Sequence, residues 1–239
     1  MSSLEAVLAK HPVWRGAALA AAAEAVPTGY ATLDAALPGG GWPRGALTEL
    51  LGRQEGIGEL QLLLPALARL TAEGKRIAWL APPHLPYAPA LAAAGVDLVH
   101  LAVIRTPGRR DALWAAEQVL RAGACHALLA WFAQARYEEL RRLAVAAEAS
   151  PALVALFRPA AAAREPSPAA LRLALEPAGD ALGLRILKRR GPPAAAPLRL
   201  PVRLSQFGPL HALGRPASPP APARDGARAP RRLDLPVHA

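Results

Sequence analysis

At 239 residues the chain is long enough to bury a full hydrophobic core, and one α/β domain with a tail fits this length better than two domains. Although 53% of the residues are apolar, the uninterrupted apolar stretches are far shorter than the roughly 18 residues of a membrane-spanning helix, so no span is predicted. The net charge of +10 favours polyanions or acidic protein surfaces as partners, without choosing between them.

Residues 1–26 are predicted to form a helical or low-complexity segment ahead of the ordered domain. This segment lacks the charged start and long apolar stretch of a secretory signal, so we expect a cytoplasmic protein. The single cysteine, Cys125, cannot form an internal disulfide. Because it lies in an apolar stretch, we expect a buried and unreactive thiol.

Strand and helix patterns then alternate through residues 27–191, the predicted domain. A turn rich in glycine and proline precedes the first strand, and a helix at 59–73 that Pro65 should kink follows the next loop. The remaining predicted strands are 76–81, 98–104, 127–132 and 152–157, the helices are 87–94, 110–122 and 136–149, and the strands of a final hairpin are 171–175 and 182–187. This order predicts an α/β fold with a mostly parallel sheet, helices on both faces and a C-terminal antiparallel hairpin at the sheet edge.

A glycine-containing loop follows the strand predicted at 46–51, and its order of strand, loop and helix is the one that NTPases use to cradle phosphates. The loop contains Gly52, Gly56 and Gly58. Glu59 occupies the position of the phosphate-binding lysine, and Leu60 that of the metal-binding hydroxyl. A carboxylate repels phosphate oxygens and leucine cannot bind magnesium. The glycines are therefore interpreted either as a tight turn or as a residual anion site.

Several distinctive strings lie in and around this loop: Val13–Gly16, Thr28–Tyr30, Leu33–Asp34, Leu37–Leu51, Gly56–Leu60 and Leu187–Gly191. They resemble the nucleotide-binding core of the RecA recombinase family. They are more closely similar to the ImuA family, RecA-like accessory proteins of bacterial mutagenic translesion DNA synthesis. The resemblance implies a RecA-like P-loop NTPase core over residues 28 to about 190.

The same resemblance implies that the catalytic machinery is lost. The catalytic glutamate of the RecA family falls at Pro83, and the metal-orienting aspartate falls at Trp131. Together with Glu59 and Leu60, these residues remove phosphate neutralisation, metal and base. We therefore expect no ATP hydrolysis, no catalytic residues, no bound cofactor and no metal site.

The ImuA resemblance implies partners in the DNA-damage (SOS) response: an ImuB-like polymerase-family protein, an error-prone DNA polymerase and RecA. DNA contact through a basic surface is a further expectation. The candidate partner-binding residues are tryptophans in turns, basic residues near the final strand and leucines of the tail, namely Trp14, Trp42, Arg185, Lys188, Arg189, Arg190, Leu233 and Leu235. The tail, residues 192–239, is rich in proline and arginine and is predicted to be disordered.

Two alternatives remain open at this point. The chain could be a cell-division inhibitor resembling SulA, which also uses a RecA-like frame without ATPase chemistry. It could also be an atypical RecA-family ATPase in which Lys75 or Arg53 serves the phosphates.

Overall fold

The computed structural model describes residues 25–192 and 196–202, and the structural statements below concern these residues. The predicted segment before residue 25, with Trp14, and the tail beyond residue 202, with Leu233 and Leu235, lie outside them. The strands are β1 (Ala25–Val26), β2 (Trp42–Pro43), β3 (Ala46–Gly52), β4 (Ile77–Leu80), β5 (Leu101–Ile104), β6 (Ala127–Trp131), β7 (Leu153–Pro159), β8 (Leu171–Ala178), β9 (Ala181–Lys188) and β10 (Leu198–Leu200). The helices are α1 (Ala31–Ala36), α2 (Leu64–Ala72), α3 (Ala88–Ala93), α4 (Arg109–Arg121) and α5 (Tyr137–Glu148), with 3₁₀ helices at Leu98–His100 and Ala160–Arg164.

Eight strands form one sheet in the order β10-β9-β8-β3-β7-β6-β4-β5. The strands from β8 to β5 in this order are parallel, whereas β9 runs antiparallel to both β8 and β10. The central strands β3, β6 and β7 are nearly continuous runs of buried residues, as expected of parallel strands covered on both sides. The predicted α/β class with a C-terminal antiparallel hairpin is confirmed.

Two hydrophobic clusters cover the two faces of the sheet. Leu33 of α1, Leu67 of α2 and Leu91 of α3 pack in one cluster. Ala116 of α4 and Leu143 of α5 pack in the other. Side chains of β3 alternate between the two clusters because successive residues of a strand point to opposite faces. The predicted placement of helices on both faces is therefore confirmed.

The predicted helix at 59–73 starts later than expected, and Pro65 does not kink it. Residues 59–63 form turns, and α2 begins at Leu64 with Pro65 in its first turn. A proline is tolerated at this position because the first N–H groups of a helix have no partner within the helix. The sequence pattern predicts an earlier start because Leu60, Leu62 and Leu63 in the turns continue the apolar pattern of the helix.

The boundaries of the predicted domain also need correction. At its start, β1 pairs with β2 two residues before the predicted boundary. At its end, residues 198–200 of the supposedly disordered tail form β10, and Leu200 and Val202 are buried in the core. A smaller correction concerns 98–104, where the strand begins only at Leu101 because the Asp97 carboxylate accepts the Val99 N–H at 3.0 Å and holds a 3₁₀ turn.

Within the described residues, every helix is too short or too polar to cross a lipid bilayer.

Candidate functional site at the glycine loop

The glycine loop lies at the carboxyl edge of the parallel sheet. β3 ends at Gly52, the loop follows, and α2 returns along one face of the sheet. The carboxyl ends of β4, β6 and β7, at Leu80, Trp131 and Pro159, lie on the same edge. In open α/β sheets ligands bind in the crevice outside these strand ends, and the positions predicted to have lost their chemistry are at or beyond strand ends of this edge.

The side-chain carboxylate of Glu59 lies inside the glycine loop. Its Oε1 accepts the backbone N–H of Gly56 at 2.8 Å, while its buried Oε2 has no hydrogen-bond partner among the described residues. A loop donor that a phosphate would need is thus already occupied, and the occupant is negatively charged. The loop also has five residues between Gly52 and Gly58, where the P-loop pattern has four between its glycines.

Positive φ angles fix where glycine is required in this loop. Gly56 has φ of 78° and Gly58 has φ of 98°, a region that side chains with a Cβ rarely adopt. The backbone conformation of the turn therefore requires glycine at residues 56 and 58.

Leu60 packs towards the protein rather than towards a ligand. Its side chain is partly buried against the cluster that contains α1, α2 and α3. Its carbonyl accepts the N–H groups of Leu63 and Leu64 at 2.9 and 3.1 Å, which closes the turn before α2. The position that holds the metal-binding hydroxyl in a P-loop is thus occupied here by a leucine that packs against the core.

The loop is attached to the N-terminal part of the domain through Tyr30. Pro65 has no N–H, so it cannot donate to the carbonyl of Gln61, four residues earlier. The Tyr30 hydroxyl donates to that carbonyl at 3.0 Å. Gly29 lies against the same proline, because a Cβ at residue 29 would be 2.5 Å from Pro65 Cβ. Burial also raises the pKa of the Tyr30 hydroxyl, which keeps it a donor.

Pro83 is exposed in the segment that follows β4 and offers no group for proton transfer. The next residue, His84, contacts the glycine loop: its Nε2 lies 3.0 Å from Glu55 Oε2. Both side chains are largely exposed, so this contact is expected to contribute little stability.

Trp131 replaces the metal-orienting carboxylate with an aromatic stack. Its ring lies parallel to Phe157 at a centroid distance of 4.6 Å and tilted against Trp79 at 5.7 Å. β6 places Trp131 beside Phe157 in register, so the two rings share a sheet face. The carboxyl end of β6 therefore carries an aromatic ring, where magnesium chemistry requires oxygen ligands.

A crevice of about 310 Å³ opens on the other side of the same edge, between β4, β6 and the start of α4. Thr106, Arg109 and Gln134 supply its polar groups, and Ala81, with an unusual φ of 49°, lines it as well. Arg109 is already paired with Glu139 of α5 at 2.6 Å. The crevice is therefore distinct from the glycine loop and contains no cation available for a phosphate among its lining residues.

The two cations considered as substitutes for the lysine are placed very differently. Lys75 precedes β4 and so lies at the amino edge of the sheet, opposite the glycine loop, where it pairs with Glu73 at 2.6 Å. A role for Lys75 at the phosphates is wrong on these grounds. Arg53 is exposed within the loop itself. The ATPase alternative therefore depends on Arg53.

The predicted partner-binding residues divide into buried and exposed groups. Trp42 is fully buried in the core, so its expected role as a partner anchor is wrong. Arg189 donates to the carbonyls of Ala36 and Pro192, which ties the end of β9 to α1. Arg185, Lys188 and Arg190 are exposed.

Sequence reasoning missed a buried ionic network around Glu49, which lies in β3 ahead of the glycine loop. The fully buried carboxylate of Glu49 accepts from Arg158 Nη1 at 2.9 Å and from Arg172 Nε at 2.6 Å. Arg158 also pairs with Glu165 at 2.8 Å, and Arg172 donates to the Ala162 carbonyl at 2.7 Å. A signal was present, because each of Glu49, Arg158 and Arg172 interrupts an apolar strand.

Cys125 is buried, as predicted, and burial raises the pKa of its thiol to about 11. The thiol is therefore protonated at neutral pH, and only the thiolate is a strong nucleophile. This agrees with the expected unreactive cysteine.

Comparison with known proteins identifies the frame that carries this loop. The family model described as the RecA N-terminal domain matches residues 1–133. Protein RecA of Acinetobacter baumannii is 34% identical over 125 residues, which cover 52% of this chain and 36% of that protein. Protein RecA of Acholeplasma laidlawii is 37% identical over 103 residues, covering 42% and 30%, and that of Picosynechococcus sp. is 35% identical over 99 residues, covering 41% and 28%. The matched part of the chain spans only about a third of these relatives, and the chain belongs to the RecA N-terminal domain family.

Proposed function

We propose that this RecA-related chain does not hydrolyse ATP and acts by binding other proteins in mutagenic translesion DNA synthesis, as the ImuA family does. The observation that carries the proposal is the Glu59 carboxylate, which accepts a loop N–H at the position of the phosphate-binding lysine. A negative charge at this point opposes the binding of a triphosphate.

The other positions support the same conclusion. Phosphoryl transfer relies on a cation at the β- and γ-phosphates, a metal ion held by oxygen ligands, and a group that orients the nucleophile. Here the corresponding residues are a carboxylate, a core leucine, an exposed proline and a stacked tryptophan. Four independent departures at one edge leave a RecA-like frame whose remaining activity is recognition.

The first test is a nucleotide assay on the full chain. We expect no magnesium-dependent ATP hydrolysis above buffer, with or without single-stranded DNA, and no heat of ATP binding at millimolar concentration in calorimetry. DNA-stimulated turnover that disappears in Arg53→Ala would overturn the proposal, because Arg53 is the exposed cation of the loop. The double variant Glu59→Lys, Leu60→Thr is a useful comparison, since the missing aspartate and glutamate should keep it inactive.

The proposed partners are an ImuB-like polymerase-family protein, an error-prone DNA polymerase and RecA. Capture of each purified partner by the full chain tests this half of the proposal. A shortened form should end after residue 207, because ending it at residue 192 would remove β10 and the buried Leu200 from the sheet. Capture of none of the three by the full chain would reject the recruitment role even if ATP hydrolysis is absent.

A further inference from the structure

The positive charge of this protein is concentrated in one part of the chain. Residues 181–224 contain eight Lys and Arg and no Asp or Glu, so they supply +8 of the net charge of +10. The remaining 195 residues are almost neutral. A segregation of this kind creates a local positive potential that net charge alone does not reveal.

The first half of this segment is held on the sheet. Across an antiparallel pair, directly opposed residues point to the same face. Arg185 lies opposite Ala174 and Lys188 opposite Arg172, and a bulge beside Arg172 allows these two cations, three residues apart, to share a face. Arg199 of β10 lies opposite Gly183 and joins them on that face.

Together with the exposed Arg190, two residues beyond the end of β9, these cations are here called the basic strip: Arg185, Lys188, Arg190 and Arg199. Arg185 and Arg190 make no hydrogen bond or ion pair with other described residues, whereas Lys188 donates to the Ser167 carbonyl at 2.9 Å. From the level of Gly183 to Lys188 the strip extends about 17 Å, at about 3.4 Å per strand residue. A DNA duplex carries roughly ten phosphate charges over that length.

Apart from Glu165, the acidic side chains beside the strip lie at its Arg199 end. Glu176 is opposite Gly183, and Asp180, fully exposed in the turn of the hairpin, is 3.7 Å from Arg199. Glu165, near Lys188, is already paired with Arg158. The end formed by Arg185, Lys188 and Arg190 therefore carries the positive potential, and Arg199 is partly neutralised.

The strip lacks the features of a protein-binding surface. Protein interfaces rely on exposed aromatic or aliphatic anchors. The large exposed hydrophobic residues of the described chain all lie between Leu85 and Val145, and none is on β8, β9 or β10. Nucleic-acid interfaces are more polar and far more positively charged, and arginine is well suited to phosphate oxygens.

We infer that the basic strip binds the phosphate backbone of a nucleic acid without reading its sequence. This site is on the antiparallel extension of the sheet, away from the glycine loop and the carboxyl edge of the parallel strands. The inference goes beyond the proposed function, and the two fail separately: ATP hydrolysis would reject the first, and absence of nucleic-acid binding would reject the second.

The test is fluorescence anisotropy of a labelled 30-nucleotide DNA, single-stranded and duplex, with the full chain at 50 and 200 mM salt. The strip variant combines Arg185→Gln, Lys188→Gln and Arg190→Gln. The matched control, Arg105→Gln, Arg110→Gln and Arg141→Gln, removes the same charge from exposed arginines elsewhere. Circular dichroism and thermal melting verify that both variants are folded.

We expect the strip variant to bind about tenfold or more weakly at 50 mM salt. The slope of log K against log salt should fall by about 2.7 for duplex and about 2 for single-stranded DNA, since three phosphate contacts are lost. The control should change affinity by less than about threefold. Equal losses in both variants, or no DNA binding by the parent, would overturn the inference, as would binding of polyglutamate but not DNA.

Discussion

Glu49 in the middle of β3 and Glu59 in the loop beyond that strand are ten residues apart, and the protein surrounds their carboxylates in opposite ways. Glu49 is fully buried, and both of its oxygens accept from arginines, at 2.9 and 2.6 Å. Glu59 has one backbone donor on one oxygen and none on the other among the described residues. The negative charge of Glu49 is therefore neutralised within the sheet. The negative charge of Glu59 stays in the loop, where a bound phosphate would add further negative charge.

This difference explains how the RecA-like fold can be stable without the residues that bind and hydrolyse nucleotide. The ionic network of Glu49 ties β3 to β7 and β8, and it involves no residue of the glycine loop. Such a network stabilises the strand order whether or not nucleotide binds. Changes in the loop could therefore accumulate without loss of the fold.

The largest expected effect is at the buried carboxylate of Glu49. Glu49→Gln keeps the side-chain shape but removes the charge between Arg158 and Arg172, leaving those arginines with the half-exposed Glu165 as their counterion. We expect a loss of about 3–5 kcal/mol in the free energy of unfolding. The same substitution in the loop, Glu59→Gln, should change it by less than about 1 kcal/mol.

Urea unfolding of the two variants beside the parent measures this contrast. Equal destabilisation by both substitutions would show that the Glu59 carboxylate is also part of the structural network. The loop would then be a stabilised element rather than a tolerant one.

The second prediction concerns the aromatic stack at the strand ends. Trp131→Asp restores a carboxylate at the metal-orienting position but removes the ring from Phe157 and Trp79. We expect a cost of about 2–4 kcal/mol and no gain of ATPase activity, whereas Trp131→Phe should cost about 1 kcal/mol. Thermal melting and a nucleotide assay give both readouts. If the Trp131→Asp protein were stable and hydrolysed ATP, the other groups needed for hydrolysis would still be present at the carboxyl edge of the sheet.

The elements of the parallel sheet could be predicted because β3, β6 and β7 are apolar runs of strand length bounded by turns. The start of α2 could not, since apolar turn residues continue the helical pattern up to Leu64. At the candidate site, the sequence identified Glu59 and Trp131 by position. It did not predict the bond from Gly56 to Glu59, which depends on how the loop closes.

Long-range partners account for the remaining errors. Trp42 lies in a short segment between turns, and only its pairing partner β1 and the surrounding core bury it. β10 is three residues long and surrounded by prolines, so its strand character depends on the edge of β9. The arginines that hold Glu49 are more than 100 residues away in sequence. A charged residue inside an apolar strand indicates that it has a partner, but the local pattern does not identify which residue that partner is.

A smaller effect is expected at the junction between the glycine loop and α2. Tyr30→Phe removes a hydroxyl that donates to the Gln61 carbonyl, to which Pro65 cannot donate. We expect a loss of about 0.5–1.5 kcal/mol in the free energy of unfolding. In a Pro65→Ala background the new N–H can serve that carbonyl, so Tyr30→Phe should cost clearly less. A double-mutant cycle by urea unfolding measures the coupling, and additivity of the two substitutions would contradict it.

The smallest effect lies at the amino edge of the sheet, opposite the loop, where pH acts on His126. Partial burial lowers the pKa of His126 below its usual 6.5, and the positive charges of Lys75 and Arg44 lower it further, against a weaker opposite effect of Glu73. Above pH 6.5 the imidazole is neutral in both the folded and the unfolded chain. As the pH falls below 6.5 the unfolded chain takes up the proton first, so the stability of the folded state decreases until the lowered pKa is passed.

Urea unfolding between about pH 5 and pH 7.5 should show this decrease, and His126→Gln should reduce it. Lys75→Gln should reduce it partly, because one of the repelling charges is gone. A pH profile that is the same in the parent and in His126→Gln would assign the acid sensitivity to other groups.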